Sequence, residues 1–143
     1  KPENIMVTEN RLQLIDFGCA QQKTNTQTLE NLTRDRIGTE LYNAPELMVR
    51  NTTKTTYNGI LADAWSCAVV AVVMLMASYP FDNSSCIHKI RLNNEIKFRI
   101  TNELSPNIKS YIQKTFVEES ERISVDYARD TFFATTSELN KRI

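Results

Sequence analysis

The feature that most constrains the fold is one uncharged apolar run, residues 64–77, with the sequence AWSCAVVAVVMLMA. Its fourteen residues fall short of the roughly twenty that an α-helix needs to span a bilayer. An apolar stretch of this length is more typical of a buried helix in a globular core. The run therefore predicts a central buried helix from about Leu61 to Ala77 and no membrane span.

Length, charge and cysteine content narrow the class of protein further. The chain has 143 residues, which is enough for one domain with its own hydrophobic core. Seventeen basic residues balance seventeen acidic ones, so the composition gives no sign of a nucleic-acid partner. The three cysteines, Cys19, Cys67 and Cys86, are odd in number and have no metal-ligand spacing. They favour a reducing compartment, so we expect an intracellular, cytoplasmic protein in which Cys67 is a small core residue.

Shorter periodic segments on both sides of the apolar run predict the remaining elements. Residues 5–7 and 12–15 are apolar except for Gln13 and flank a polar turn, which predicts a β-hairpin. Helical spacing of apolar residues, with serine or proline at the start of several segments, predicts further helices. These helices are predicted at residues 45–50 and 84–93, after Ser105, and after Ser124. The pattern predicts a mainly α-helical fold with a small hairpin at its N-terminal end.

Residues 19–37 form a polar stretch without a clear period, and loops of this length in compact domains are commonly functional. The stretch follows Asp16-Phe17-Gly18, in which a carboxylate at the end of a strand can face a bound cation. Twelve residues before Asp16, Asn4 offers a neutral oxygen ligand, and Lys1 offers a point charge for a phosphate. Taken singly, each of these residues could equally be a solvated surface residue.

Further motifs follow in a fixed order: Gly38-Thr39, Ala44-Pro45-Glu46, Asp63-Ala64-Trp65-Ser66, Tyr79-Pro80-Phe81 and Glu121-Arg122-Ile123-Ser124. Together with KPEN at residues 1–4 and DFG at 16–18, this order resembles the eukaryotic-type serine/threonine protein kinase family. The resemblance covers residues 1–134 and leaves 135–143 as a polar tail. It implies the C-terminal lobe of a kinase, from the end of the catalytic loop to the last helix, and the complete domain would be α+β.

The resemblance also implies roles at the site of phosphoryl transfer. Asn4 and Asp16 resemble the two magnesium ligands. Lys1 resembles the lysine that steadies the transferring phosphoryl group, and Thr39 resembles the threonine that links the catalytic loop to the substrate site. The residues implied to contact the nucleotide are Lys1, Asn4, Asp16, Phe17 and Gly18.

Other matching residues imply structural and regulatory roles. Glu46 and Arg122 resemble a buried ion pair that ties the activation segment to the helical lobe. Asp63 resembles a carboxylate near a helix start that holds the catalytic-loop backbone. The polar stretch 19–37 becomes the activation loop, in which Asp35 could partly replace an activating phosphate. Its candidate phosphorylation sites are Thr24, Thr26, Thr28 and Thr33.

The resemblance implies transfer of the γ-phosphate of ATP to a serine or threonine hydroxyl, with ATP, Mg²⁺ and a protein substrate as partners. The family's catalytic Asp would lie two residues before Lys1, and the glycine-rich loop and strand lysine further upstream. The 143-residue chain alone is therefore expected to be inactive. The alternatives are a pseudokinase that acts as a nucleotide-binding or scaffold module, and a helical interaction domain with fortuitous motifs.

Overall fold

The computed structural model describes residues 1–20, 32–33, 38–48, 56–81 and 104–131. These ranges combine helices with an N-terminal hairpin, as the sequence pattern predicts. Short 3₁₀ helices, Pro2–Asn4 and Glu40–Tyr42, precede the first strand and the first α-helix. The strands are β1 (Ile5–Thr8), β2 (Arg11–Leu14), β3 (Leu32–Thr33) and β4 (Thr56–Tyr57), and the helices are α1 (Pro45–Met48), α2 (Gly59–Met76), α3 (Pro106–Thr115) and α4 (125–131).

The predicted hairpin is confirmed, with β1 and β2 antiparallel. Ile5 pairs with Leu14 and Thr8 pairs with Arg11, so two residues form the turn. The hydroxyl of Thr8 donates to the carbonyl of Arg11 across that turn, at 3.2 Å. The register therefore places the residue before β1 beside the residue after β2, a relation on which the candidate site depends.

Helix α2 confirms the predicted central helix and begins two residues before the predicted start. The side chain of Asn58 caps it, because its Oδ1 accepts hydrogen bonds from the backbone N–H groups of Ile60 and Leu61, at 3.0 and 3.3 Å. Ala77 is the C-cap that follows the last helical residue, Met76. Its φ is 50°, and its backbone N–H donates to the carbonyl of Val73 at 2.9 Å. Asn at the N-cap is a strong local signal, because its side chain satisfies donors that the helix leaves free.

One face of α2 forms the core of the described part of the chain. Trp65 is fully buried and lies between Phe81, whose ring stacks on it at 5.5 Å, and Phe116, at 4.8 Å. By length and composition alone, α2 is the one helix among the described residues that could cross a membrane. A core helix passes the same test, and the buried face supports that interpretation; its members are Ala62, Ala64, Trp65, Ala68, Val69 and Val72.

The two capped helices predicted near the C-terminus are also present. Ser105 caps α3, since its hydroxyl oxygen accepts from the N–H of Ile108 at 3.4 Å, and Ile112 of this helix is fully buried. Ser124 caps α4 in the same way through the N–H of Tyr127, at 3.2 Å. The predicted helix at 84–93 and the tail at 135–143 lie outside the described residues.

Two expectations differ from the structure. The sequence places Cys67 in the core, but it is exposed, because it lines an open pocket between α2, α3 and α4 and is not packed around Trp65 and Ala68. The sequence also predicts a loop throughout residues 19–37, but Leu32 and Thr33 form β3 there, which pairs antiparallel with β4, with Leu32 opposite Tyr57. Strands of two residues are too short to show a periodic pattern in the sequence.

Candidate active site

The end of the hairpin brings two of the predicted site residues together. The backbone N–H of Ile15 donates to the carbonyl of Asn4 at 2.9 Å, which extends the pairing of Ile5 with Leu14 by one position. Asn4 therefore lies beside the residue that precedes Asp16. The N–H of Asn4 also donates to the carbonyl of Lys1 at 3.0 Å, which closes the 3₁₀ helix before β1. The two predicted magnesium ligands are thus at one end of the same hairpin.

The backbone turns sharply at Asp16. Its φ is 61°, in the left-handed region that aspartate tolerates better than most residues. A Cβ atom at Gly18 would lie 3.4 Å from Oδ1 of Asp16, so the glycine is directly beside the carboxylate. Phe17, between them, is 67% exposed. The chain therefore changes direction at Asp16, soon after the end of β2.

The donor groups at this turn fit a magnesium ion. The carboxylate of Asp16 and the amide oxygen of Asn4 are hard oxygen ligands, and Mg²⁺ is usually held by one or two carboxylates together with substrate phosphates and water. No group of three or more His, Cys, Asp or Glu side chains that could hold a metal ion occurs in the part of the chain that the structure describes. A magnesium–nucleotide site needs no such group, because most of its ligands are not protein atoms.

The segment after Gly38 forms a compact turn that leads into α1. Gly38 has a φ of 93°, and a Cβ atom there would lie 2.7 Å from Oδ1 of Asn43. The N–H of Tyr42 donates to the carbonyl of Thr39 at 2.9 Å. Thr39 is exposed, as is Lys1, and the link from Thr39 to the catalytic loop stays a prediction.

Glu46 and Arg122 form the buried contact that the resemblance implies. The guanidinium Nη1 donates to Oε1 of Glu46 at 2.6 Å, and Nη2 donates to Oε2 at 3.0 Å. The carbonyls of Leu61 and Val117 accept from the same two nitrogens, at 2.9 and 3.1 Å. The guanidinium carbon also lies 4.9 Å from the centre of the Trp65 ring. Arg122 therefore joins α1, α2 and the segment after α3.

The remaining predicted residues are only partly described. Asp63 is on the exposed side of α2, where nearby protein atoms partly desolvate its carboxyl and raise its pKa. Its contact with the catalytic-loop backbone stays a prediction. Thr33 is in β3, where it pairs with Thr56. Thr24, Thr26, Thr28 and Asp35 lie outside the described residues, and their roles are untested.

The structure adds a contact that the sequence does not predict, in the segment that follows Thr39. The hydroxyl oxygens of Tyr42 and Tyr79 are 3.2 Å apart, and the hydroxyl of Ser66 donates to the carbonyl of Tyr42 at 2.8 Å. Tyr42 lies between the Gly38-Thr39 and Ala44-Pro45-Glu46 motifs, and this position is the one signal in the sequence that could have drawn attention to it.

Comparison with known proteins agrees with this geometry. The chain belongs to the protein kinase domain family, which it matches over residues 1–133. Three similar curated proteins are serine/threonine or other protein kinases by name. The chain is 31% identical to CBL-interacting protein kinase 11 of Oryza sativa subsp. japonica, over 99% of this chain and 28% of that protein.

Two further relatives are also protein kinases by name. Serine/threonine-protein kinase SRK2E of Arabidopsis thaliana is 32% identical, over 84% of this chain and 33% of that protein. SNF1-like protein kinase ssp2 of Schizosaccharomyces pombe is 30% identical, over 93% of this chain and 22% of that protein. The chain thus spans a third or less of the length of these curated relatives.

Proposed function

We propose that this chain is the C-terminal lobe of a serine/threonine protein kinase that transfers the γ-phosphate of ATP to a protein hydroxyl. The observation that carries the proposal is the hydrogen bond between Ile15 N–H and the Asn4 carbonyl, at 2.9 Å. That bond puts an amide side chain and the carboxylate of Asp16 at one end of a hairpin. Membership of the protein kinase family supports assigning both to Mg²⁺ and ATP.

The residues of this chain would then act by position and charge. Asp16 and Asn4 would hold Mg²⁺, which when bound neutralises charge on the phosphates. Lys1 would place a positive charge near the transferred phosphoryl group. Phe17 and Gly18 would keep the turn at Asp16 in place beside the nucleotide, and Thr39 would connect this region to the bound protein substrate.

The ion pair of Glu46 with Arg122 supports placing the chain in the helical lobe. A bidentate pair with both side chains buried holds α1 against the start of α2, and α1 directly follows the turn that contains Thr39. The proposed activation segment, residues 19–37 with the turn after Gly38, would thus have a fixed end. We also propose an intracellular, cytoplasmic setting, since Cys19 and Cys67 form no disulfide among the described residues.

The test of this proposal is the coding sequence immediately upstream of Lys1. An active kinase requires His-Arg-Asp with its Asp two residues before Lys1, and a glycine-rich loop and strand lysine further upstream. If that Asp or the strand lysine is replaced, the pseudokinase alternative is correct instead, and Asn4 and Asp16 would serve nucleotide binding without efficient transfer. If none of these motifs is encoded there, the kinase assignment itself fails.

A further inference from the structure

Tyr42 is anchored at two points by α2 and the turn that follows it. The hydroxyl of Ser66 donates to the backbone carbonyl of Tyr42 at 2.8 Å, and also lies 3.3 Å from the carbonyl of Ala62. At the other end of the side chain, the hydroxyl oxygens of Tyr42 and Tyr79 are 3.2 Å apart. Their rings meet edge to face at 74°, with the centres separated by 5.7 Å. The backbone and the side-chain tip of Tyr42 are thus held to the same helical unit.

The two tyrosines differ in their access to water. Tyr42 is 5% exposed, whereas Tyr79 is 39% exposed and reaches solvent at the molecular surface. A buried hydroxyl without a partner is costly, so the hydroxyl of Tyr79 stabilises the buried position of Tyr42. Burial, followed by the hydrogen bond with Tyr79, raises the pKa of the Tyr42 phenol.

Tyr42 directly follows the turn at residues 38–41, so its contacts with Ser66 and Tyr79 bear on the position of that turn. Gly38, Thr39 and Glu40 are exposed, Leu41 is half-buried, and Tyr42 is the first buried residue that follows them. Tyr42 is joined to this turn by its N–H, which donates to the carbonyl of Thr39 at 2.9 Å, and Leu41 also packs against the core.

We propose that Tyr79 is a positioning residue for the protein substrate, because its hydroxyl holds Tyr42 and thereby helps to fix the turn at residues 38–41. The inference rests on the proposed function, since the turn contains Thr39, which is assigned to the substrate side of the site. Tyr79 itself does not contact the reacting groups. Its removal should weaken the placement of the acceptor peptide and leave nucleotide binding as it was.

The experiment uses the complete protein that contains this chain, with Tyr79→Phe as the variant. The best acceptor from a degenerate library of serine- and threonine-containing peptides serves as substrate. Loss of one hydrogen bond, about 0.5–1.5 kcal/mol, predicts an increase in the peptide KM of about two- to twelvefold. The KM for ATP and kcat at saturating peptide should stay unchanged. Tyr127→Phe, which removes an exposed hydroxyl on α4, is the matched control and should change neither KM.

A double-mutant cycle and an activity-independent measurement complete the test. Tyr42→Phe should raise the peptide KM as Tyr79→Phe does, and the double variant should add little. Hydrogen–deuterium exchange of Tyr79→Phe should accelerate at the amides of residues 38–43 and at no other described segment. An unchanged peptide KM, additive effects, or equal changes in the KM for ATP would overturn the positioning role.

The two proposals fail in different ways. If the wild-type protein transfers phosphate and Tyr79→Phe has no effect on the peptide KM, only the role of Tyr79 is wrong. If the wild-type protein transfers no phosphate, the proposed function fails, and the substrate role of Tyr79 fails with it. Exchange data would then report only whether Tyr79 anchors the turn.

Discussion

Arg122 and Glu46 are 76 residues apart in the sequence, yet two guanidinium nitrogens of Arg122 donate to both carboxylate oxygens of Glu46, at 2.6 and 3.0 Å. Both residues are buried, and Trp65 covers one face of the guanidinium. A buried charge is tolerated only when it is paired and hydrogen-bonded. Here both carboxylate oxygens of Glu46 and the two Nη atoms of Arg122 are paired, while Nε of Arg122 is buried without a partner. This contact fixes the position of α1 relative to the segment between α3 and α4.

Removal of one member of this pair should be strongly destabilising. Arg122→Met leaves the Glu46 carboxylate buried without its partner, which costs on the order of 3–5 kcal/mol. Replacing both residues by methionine removes both charges, so the double variant should cost less than the sum of the two single variants. Urea unfolding of the 143-residue chain, followed by the fluorescence of Trp65, its one tryptophan, measures both effects.

Arg129→Met is the control for that prediction. Arg129 is exposed and pairs with Asp126 and Asp130 at 3.2 and 3.0 Å, and exposed ion pairs add little to stability. We therefore expect its unfolding curve to match the wild type closely. If Arg122→Met behaved like Arg129→Met, the pair would have no structural role.

Phe81 should be essential for the core although it follows the end of α2. Its ring stacks on Trp65 with an angle of 8° between planes and meets Phe116 at 5.1 Å. Phe81→Ala should cost about 3–5 kcal/mol, the usual loss for a large buried aromatic. Phe17→Ala deletes an equal volume from an exposed side chain and should leave the urea midpoint nearly unchanged. Similar losses for the two variants would contradict the described packing.

Gly38 and Gly18 should respond differently to alanine. At Gly38, φ is 93° and an added Cβ would lie 2.7 Å from Oδ1 of Asn43, so Gly38→Ala should destabilise the chain by on the order of 1–3 kcal/mol. At Gly18 the nearest atom to an added Cβ is 3.4 Å away, an ordinary contact. Thermal unfolding of both variants tests this difference. Equal midpoints would contradict the positive φ of Gly38 and its close approach to Asn43.

The reactivity of Cys67 should depend on pH in a defined direction. Cys67 is exposed at an open apolar pocket of about 210 Å³ between α2, α3 and α4. Partial desolvation by the atoms that line this pocket, followed by the negative charge of Asp63, raises the pKa of its thiol. Only the thiolate reacts with an alkylating reagent, so Cys67 should react slowly at pH 7.5 and accelerate as the pH rises beyond about 9. Peptide mapping after timed alkylation measures the rate.

Two comparisons identify the cause of that slow reaction. Asp63→Asn removes the nearby negative charge and should increase the alkylation rate of Cys67 at fixed pH, whereas Asp63→Glu should not. In concentrated urea, where the fold no longer shields the thiol, the rate at pH 7.5 should rise. A thiol that reacts equally fast in the folded and unfolded chains would refute the raised pKa.

Local sequence signals predict most of the regular structure. The hairpin, α2, and the serine caps of α3 and α4 each depend on residues within a few positions of one another, and such signals are visible without tertiary information. The N-cap Asn58 lies outside the predicted helix because the prediction follows the apolar run, which begins after the helix does. The prediction for Cys67 is wrong because a uniformly apolar helix does not show in its sequence which side faces the core.

Long-range contacts can be anticipated only where a resemblance supplies them. The pairing of Glu46 with Arg122 follows from the family resemblance, since no local pattern connects residues so far apart. The contact of Tyr42 with Tyr79 has no such guide and becomes visible only when the fold brings the end of α2 back to the turn after Gly38. The hydrogen bond from the N–H of Asn58 to Oε1 of Glu119, at 2.6 Å, is another contact of this kind.

Phosphoryl transfer by the complete protein, with Asp16→Asn as the comparison, tests the assignment of this chain most directly. Radiolabelled γ-phosphate of ATP should appear on serine or threonine of a peptide library in the presence of Mg²⁺. Asp16→Asn replaces the carboxylate with a neutral amide and should reduce transfer to background, while the circular dichroism spectrum stays that of the wild type. Transfer by Asp16→Asn at the wild-type rate, or no transfer by the wild-type protein, would contradict the assignment of this chain to an active kinase.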